Sequence, residues 1–313
     1  MILFFSGTSK VTKAARRIPL VKKPLRVLSL FDGISSPLLA LKSLNFAVEI
    51  YVASEISSKA IHVVDAHHPQ VYQVGDIEKL SADRIEEMGP FDLVIGGSPC
   101  NELSGDNPYR KGLFDLSSSG RLFFEFKRCL DVVQQHRREL ELDQAFWLFE
   151  NVCSMQIKER DFITKYLRQK PVKIDAGFFS PTRRQRFFWG NIPNMETVPY
   201  QRPLPGDQIT LQSCLAVGRT AIVEKINDIT TNKGSLQVRD RHSSELHYPV
   251  IDRWGREDNL WTTEIEIILG FPKHYTDVGQ LDFKDRLDLL GKSWSIPVVK
   301  RIFKGLEDYF LKL

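Results

Sequence analysis

A cysteine held at the end of an apolar, strand-like segment is the feature of this sequence most suited to chemistry. Residues 91–97 form an apolar run closed by two glycines, and Ser98-Pro99 then leads into Cys100. Such a run predicts a buried parallel strand, and open α/β sheets place their sites where these strands end. Pro99 restricts the backbone around it and so holds the thiol in position, as a nucleophile requires. A small buried residue is the alternative for Cys100, and this segment alone favours neither.

Carboxylates follow four other strand-like segments. They are Asp32 after residues 26–31, Glu55 after 49–53, Asp76 after 71–74 and Glu150 after 145–149. Because parallel strands end at one edge of a sheet, we expect these acids to lie near Cys100. An acid that ends the second strand suits ribose hydroxyls. The sequence has neither G-x-G-x-x-G nor a complete G-x-x-x-x-G-K-[ST], so we expect a nucleoside ligand without a pyrophosphate.

Glu150 and two arginines are the remaining candidates for chemistry. Glu150 ends a very apolar segment, so burial should raise its pKa and let it donate a proton near neutrality. A carboxylate bonded to nearby backbone is the alternative. Arg184 and Arg186 have one residue between them, so both should reach the same pocket if they point inward. The alternative is a charged face on an edge strand.

The order of segments predicts an α/β fold. Strand and helix patterns alternate from residue 25 to Cys100, as in a doubly wound, mostly parallel sheet. Residues 101–119 form either a mobile loop over a substrate or an ordinary surface connection. We also predict helices over 120–133 and 298–313 and two sheet-edge strands over 172–179 and 186–189.

Three parts are expected in the chain. Residues 1–24 form a basic arm, which is either a solvated tail or a segment that contacts phosphates or carries a nuclear address. Residues 25–313 form the catalytic domain, and 190–285, where prolines crowd and the pattern is irregular, form a smaller lobe within it.

Composition excludes several classes of protein. The chain has 313 residues and a net charge of +4, which permits nucleic-acid binding without indicating it. Its four cysteines form no C-x-x-C pair and lie in no zinc-like spacing with histidine, so we expect no metal site. No apolar stretch approaches the length of a membrane span, and residues 1–5 are too short for a signal sequence.

An ordered set of seven motifs resembles the cytosine-5 methyltransferases. They are FDG at 31–33, ASE at 53–55, VGDI at 74–77, GGSPCN at 96–101, FENV at 149–152, R-x-R at 184–186 and GKSWSIPV at 291–298. Ser-Pro-Cys-Asn is similar to the animal de novo DNA methyltransferases in particular. The resemblance runs from about residue 25 to the end. It departs at Pro37, where a glycine is usual, and at Lys292, where an arginine is usual.

The resemblance implies S-adenosylmethionine as cofactor and assigns the site. The implied cofactor-binding residues are Asp32, Gly33, Ile34, Ser35, Ser36, Glu55, Asp76, Ile77, Lys292, Ser293 and Trp294. It further implies Cys100 as nucleophile at cytosine C6, Glu150 at cytosine N3, and Arg184 and Arg186 as the pair that positions the base. Thiolate addition makes C5 nucleophilic, and the base must leave the duplex to reach the thiol.

Double-stranded DNA is the partner that the resemblance implies, with CpG as the preferred site and the nucleus as location. The expected DNA-binding residues are Asn101, Lys233, Arg239 and Arg241, chiefly within 230–242. A solvated loop with scattered charges is the alternative for that segment. A homo-oligomer, or pairing with a related methyltransferase-like subunit, is implied by Asp277 with Arg286 and by Gly120–Phe126. A tRNA cytosine-5 methyltransferase and a catalytically silent regulator are the competing functions.

Overall fold

The central feature of the computed structural model is a seven-stranded sheet. The structure describes residues 22–105, 107–115, 117–202, 209–239 and 245–313. The sheet strands are β1 Leu25–Leu30, β2 Val48–Ser54, β3 Tyr72–Gln73, β4 Leu93–Gly96, β5 Phe146–Val152, β6 Val172–Asp175 and β7 Gln185–Gly190. The helices that connect them are α1 Ser36–Ser43, α2 Ser58–His67, α3 Ala82–Met88, α4 Leu122–Glu139 and α5 Ile157–Leu167.

The strand order is β3-β2-β1-β4-β5-β7-β6. β1 pairs in parallel with both β2 and β4, and β4 pairs in parallel with β5, whereas β7 runs antiparallel to β5 and β6. The chain therefore builds outward from β1 to β3 and returns to β4 on the other side of β1. This reversal puts the topological switch point at the carboxyl ends of β1 and β4, where such folds bind ligands. The predicted fold class is confirmed.

Alternation of side chains along the buried strands fills a core on each face of the sheet. In β5, Leu148 packs on one face, while Trp147 and Phe149 pack on the other. The face with Leu148 also receives α1, α2 and the C-terminal helices, and the opposite face receives α3, α4 and α5.

A smaller lobe follows β7 and packs on the same core. Its elements are α6 Leu211–Cys214, β8 Thr220–Ala221, β9 Val238–Arg239, β10 Leu246–His247, β11 Val250–Ile251, β12 Glu257–Asp258 and α7 Thr262–Leu269, and the chain then forms α8 Phe283–Lys292 and α9 Ile296–Phe303. The lobe joins the sheet where Arg183 N donates to Ile226 O (3.0 Å) and Ile226 N donates to Pro181 O (2.8 Å). Ile226 and Ile229 belong to the core of the sheet, so the lobe and the sheet share one apolar interior.

The C-terminal segment differs from its prediction. We expected one helix over 298–313, but α9 ends at Phe303, and a short 3-10 turn follows. Gly305 lies so close to Pro193 that an added Cβ would stand 2.1 Å from the Pro193 carbonyl oxygen. After this contact Phe310 pairs with Lys23 in an isolated bridge, so the end of the chain is extended.

The bounds of other helices and strands also differ from their predictions. The helix expected over 120–133 continues to Glu139 as α4, and the strand expected over 172–179 ends at Asp175. Asp175 Oδ1 accepts a hydrogen bond from Gly177 N (2.8 Å), which starts a 3-10 turn and ends the strand. Residues 1–21 of the expected arm lie outside the described residues, and Lys23 makes a 2.7 Å ion pair with buried Asp92.

Candidate active site

The turn after β1 is a backbone cradle supported by Glu55. Gly33 and Ser35 both have positive φ, near 59° and 57°, so the chain turns sharply between β1 and α1. Gly33 N donates to Glu55 Oε2 (2.8 Å), while Glu55 Oε1 accepts from Ile56 N and Ser57 N (2.9 and 2.8 Å). Glu55 thereby ties the first turn to the start of α2, at the position expected to meet a ribose.

Asp32 lies inside the cradle. Its carboxylate accepts hydrogen bonds from the hydroxyls of Ser29 (2.5 Å), Ser35 and Tyr51 (2.7 Å), and only 6% of the residue is exposed. Burial raises its pKa to about 6, although the three hydroxyls oppose the shift. The Asp32 side chain therefore supports the turn from within, and Ile34, which is also buried, accepts a hydrogen bond at its carbonyl from the hydroxyl of Tyr275 (3.0 Å).

Asp76, the third predicted acid, lies at the far side of this edge of the sheet. Asp76 is half-buried and caps a 3-10 turn, because its Oδ1 accepts from Glu78 N (3.0 Å). Ile77 behind it is buried. The strand ends that carry Asp32, Glu55 and Asp76 are thus neighbours in the sheet, as the sequence predicted from their order.

The C-terminal motif closes the cradle. Trp294 N donates to Ser36 Oγ (3.3 Å), and Ser293 Oγ donates to Leu290 O (2.8 Å). Pro37, the residue that departs from the family pattern, occupies the first turn of α1, where its missing N–H costs nothing. Lys292 is exposed at the end of α8.

Glu150 lies within β5 rather than at its end, and it is half-buried against the segment that precedes Cys100. Its Oε1 is 3.1 Å from Arg186 Nε. A Cβ added at Gly97 would stand 2.9 Å from Glu150 Oε2 and 3.1 Å from Trp294 Nε1. Only glycine allows this approach. Burial raises the pKa of Glu150, and the charges of Arg186 and Arg184 oppose that rise.

Cys100 is half-buried, and its loop is held from below. Asn151 Nδ2 donates to Ser98 O (3.2 Å) and to Ser98 Oγ (3.3 Å), and the Cys100 carbonyl accepts from Leu103 N and Ser104 N (2.9 and 2.8 Å). Burial raises the pKa of the Cys100 thiol, as does the charge of Glu150, whereas Arg186 and Arg184 lower it. Asn151 was missed at the sequence level, although it directly follows Glu150.

The two arginines make different contacts, and the expectation that both position a base stays a prediction. Arg184 is buried, and its guanidinium donates to the carbonyls of Ile229 (2.7 Å), Gly291 (3.0 Å) and Ser293 (2.7 Å) and pairs with Asp228 Oδ1 (2.6 Å). These bonds direct Arg184 toward the lobe and the C-terminal motif. Arg186 is the one of the pair that contacts Glu150.

Asp228 is a second residue that sequence reasoning missed. Each of its two carboxylate oxygens pairs with a different arginine. Oδ1 pairs with Arg184, and Oδ2 lies 2.8 Å from Arg186 Nη1. Although burial opposes it, the two guanidinium groups lower the pKa of Asp228. The sequence offers only a weak signal, an acid just before the Thr230-Thr231 segment of the lobe.

The segment after Cys100 is anchored by two leucines. Leu103 and Leu113 are both almost fully buried. Gly105 N donates to Ser154 Oγ (3.0 Å), which fixes the segment beside the end of β5. Of the two interpretations of residues 101–119, a connection with buried anchors describes its observed packing, since residues 106 and 116 alone lie outside the description.

The expected DNA-binding residues are only partly described. Asn101 and Lys233 are exposed, and Lys233 Nζ lies 5.0 Å from the ring centroid of Phe283. The backbone of Arg239 lies in β9, whereas Arg241 falls outside the described residues.

The residues expected at subunit contacts are used within one chain. Arg286 is buried and contacts Asp277 (3.3 Å) and Glu266 (3.1 Å) of the same chain. In the aromatic segment, Phe123 and Phe126 are fully buried against Phe149. These contacts lie within one chain, and the contact of the pair and of the aromatic segment with a partner subunit stays a prediction.

Two other features are absent from the residues that the structure describes. No group of three or more His, Cys, Asp or Glu residues is placed to hold a metal ion. No described helix has both the length and the apolar character needed to cross a membrane.

Comparisons with known proteins identify the domain. Residues 25–170 match the model of the C-5 cytosine-specific DNA methylase family. The chain is 39% identical over 133 residues to DNA (cytosine-5)-methyltransferase DRM1 of Arabidopsis thaliana, a match that covers 39% of this chain and 21% of that protein. It is 36% identical over 236 residues to the orphan methyltransferase M.Rho11sI of Bacillus phage rho11s, covering 75% and 41%.

Solved structures share the fold. The DNMT2 mutant of Spodoptera frugiperda aligns with a TM-score of 0.63 and 16% identity over 90% of this chain and 99% of that one. A putative DNA modification methyltransferase from an E. coli prophage gives 0.63 and 21% over 91% and 99%. The chain spans between a fifth and two fifths of the length of the curated relatives named above. Residues 25–170 are therefore similar to the C-5 cytosine-specific DNA methylases, and the chain shares the fold of the solved methyltransferases named above.

Proposed function

We propose that this chain methylates C5 of cytosine in DNA through a covalent bond between Cys100 and C6 of a flipped-out base. The observation that carries the proposal is the contact of Glu150 with Arg186 and with the Gly97 backbone, three residues before the thiol. This arrangement puts a buried carboxyl and a guanidinium beside a cysteine that is held by its loop, at the switch point of the sheet.

The residues of the cradle fit the cofactor of this family. S-adenosylmethionine supplies an electrophilic methyl group when it is bound. Gly33 leaves open space where a Cβ would lie, which permits close approach of a ligand to the turn. Glu55 and Asp76 offer carboxylates at neighbouring strand ends, and Trp294 offers an aromatic face that is partly exposed.

The electrostatics of the site suit an adduct that forms only with the base in place. In the free protein, burial raises the pKa of both Cys100 and Glu150, so each group is harder to ionise than it is in water. A protonated Glu150 donates a hydrogen bond to cytosine N3 and no longer opposes the thiolate. The thiolate then adds to C6 and makes C5 nucleophilic. Once C5 carries the methyl group that the cofactor would supply, a base removes the C5 proton and the Cys100–C6 bond breaks, which releases the thiolate.

The finer features of the function rest on the sequence resemblance. We propose de novo action at CpG sites of double-stranded DNA in a nucleus, by analogy with the animal enzymes. The relatives named above are plant and phage methyltransferases, so site preference must be measured on both CpG and non-CpG cytosines. Self-association is proposed on the same resemblance, and light scattering that finds only monomer at micromolar concentration would refute it.

Cys100→Ala tests the proposed reaction, and Cys153→Ala is its control. The variant should lose methyl transfer to DNA while it still binds S-adenosylmethionine, because the thiol is needed for the adduct and not for the cradle. Cys153→Ala removes a nearby, half-buried cysteine whose pKa burial raises to about 12, and it should leave transfer intact. Transfer of a labelled methyl group is measured on duplex DNA and on tRNA in parallel. Near-full turnover by Cys100→Ala contradicts the mechanism, and transfer to tRNA alone establishes the competing function.

A further inference from the structure

A closed ring of contacts joins the pocket proposed for the cytosine base, around Glu150 and Arg186, with the lobe and the C-terminal motif. We call it the Asp228 ring, and its members are Glu150, Arg186, Asp228, Arg184, Ser293 and Trp294. Glu150 contacts Arg186, Asp228 bridges the two arginines, and Arg184 donates to the Ser293 carbonyl. Trp294 is the next residue in the chain, and its indole nitrogen lies with the Glu150 carboxylate against Gly97. The links from Glu150 to Ser293 are charged or polar contacts, so a shift in one of these members changes the partners of the next.

Three functional parts of the molecule meet in this ring. Glu150 and Arg186 belong to the base pocket, Asp228 belongs to the lobe proposed to hold DNA, and Ser293 and Trp294 belong to the proposed cofactor cradle. Both arginines are largely buried, because 5% of the Arg184 side chain and 12% of the Arg186 side chain are exposed. Buried guanidinium groups need a carboxylate, and Asp228 serves both, so neither arginine can turn without leaving a charge unpaired.

We propose that Asp228 is a positioning residue that couples cofactor binding at the C-terminal motif to the placement of Arg186 and Glu150 for the base. This inference rests on the proposed function. A bound cofactor that contacts residues 291–294 would fix the carbonyl oxygens of Gly291 and Ser293, which accept hydrogen bonds from Arg184. Arg184 then fixes one oxygen of Asp228, and the other oxygen fixes Arg186 beside Glu150. By linkage, a flipped cytosine bound at Glu150 strengthens cofactor binding by the same factor.

The test measures this coupling directly. The affinity of S-adenosylhomocysteine is determined by calorimetry with and without a duplex that contains one target cytosine, for wild type, Asp228→Asn and Asp228→Glu. We expect the duplex to tighten binding by roughly 5- to 150-fold in wild type and by no more than about twofold in Asp228→Asn, because the amide has one accepting oxygen and no charge, whereas each arginine pairs with a different oxygen of the Asp228 carboxylate. Asp228→Glu keeps the charge and should restore part of the coupling. Glu224→Gln removes an exposed carboxylate from the same part of the lobe and is the matched control.

A pH profile separates positioning from a merely structural role. The charged groups that act on Glu150 are Arg186, Arg184 and Asp228, and Glu150 in turn acts on Cys100. Since Asp228 raises the pKa of Glu150, its neutralisation in Asp228→Asn should move the Glu150 limb of the kcat profile to lower pH. Full coupling with an unmoved profile in Asp228→Asn overturns the proposal. If Asp228→Asn does not fold, Arg184→Lys breaks the same ring at another link, and normal coupling in that variant overturns it equally. Failure of wild type to bind the duplex at all would instead refute the proposed function.

Discussion

At the scale of single residues, Asp32 is a buried carboxylate whose hydrogen-bond partners are the neutral hydroxyls of Ser29, Ser35 and Tyr51. Its pKa of about 6 lies above the ordinary value of 3.8, because burial disfavours the charge. The folded state therefore binds this proton more tightly than the unfolded state does. The stability contributed by the group is full below the unfolded value and is lost as pH rises through about 6.

The same carboxylate should make cofactor affinity depend on pH. S-adenosylmethionine is a cation, so it should bind the ionised form of Asp32 more tightly, and its affinity should rise between pH 5 and pH 7. Calorimetric titration across that range checks the expectation, with Asp32→Asn as the variant in which the step should vanish. A pH-independent affinity in wild type would show that cofactor binding does not depend on the charge of Asp32.

Residue positions at strand ends could be predicted from the sequence, because a parallel sheet fixes where consecutive strands finish. The order of Asp32, Glu55 and Asp76 along one edge followed from that rule alone. The separate roles of Arg184 and Arg186 could not be predicted. Arg184 turns toward Ile229 and Ser293, which lie 45 and 109 residues away along the chain, and no local pattern reports such contacts.

At the scale of elements, the segment after Cys100 depends on its two buried leucines. Leu113→Ala should leave a cavity and loosen the segment, costing about 2–5 kcal/mol of local stability. We expect a large fall in kcat together with only a small fall in the midpoint of global unfolding, because the segment is a small part of the core. Leu113→Met keeps the volume and should stay within about 1.5 kcal/mol of wild type. Parallel loss of activity and of melting temperature in Leu113→Ala would show that the segment is not a separate unit.

Element boundaries were predictable where local chemistry sets them. Ser57 and Ser81 cap α2 and α3, and such caps are visible in the sequence. The end of α9 was not predictable, since it depends on the approach of Gly305 to Pro193 from a distant part of the chain. Amphipathic spacing alone favoured a longer helix.

At the scale of the whole molecule, the lobe is expected to meet DNA through charge. A triple variant with Lys233, Arg239 and Arg241 changed to alanine should bind duplex DNA more weakly. Its plot of log affinity against log salt should be shallower by up to about 3 units if each residue meets a phosphate. Binding measured at several salt concentrations, and methylation compared at CpG and non-CpG sites, test this. Unchanged affinity together with unchanged context would show that the segment does not face DNA.

The burial of Arg184 has a mechanical consequence for the DNA. Swinging the lobe away from the sheet would leave its guanidinium without Asp228, at a cost of about 3–5 kcal/mol for an unpaired buried charge. If the proposed function holds, the lobe stays fixed against the sheet, and the duplex rather than the protein supplies the distortion that exposes the target base. Cytosines whose stacking is already weak, in mismatches or at single-stranded junctions, then need the least of that distortion.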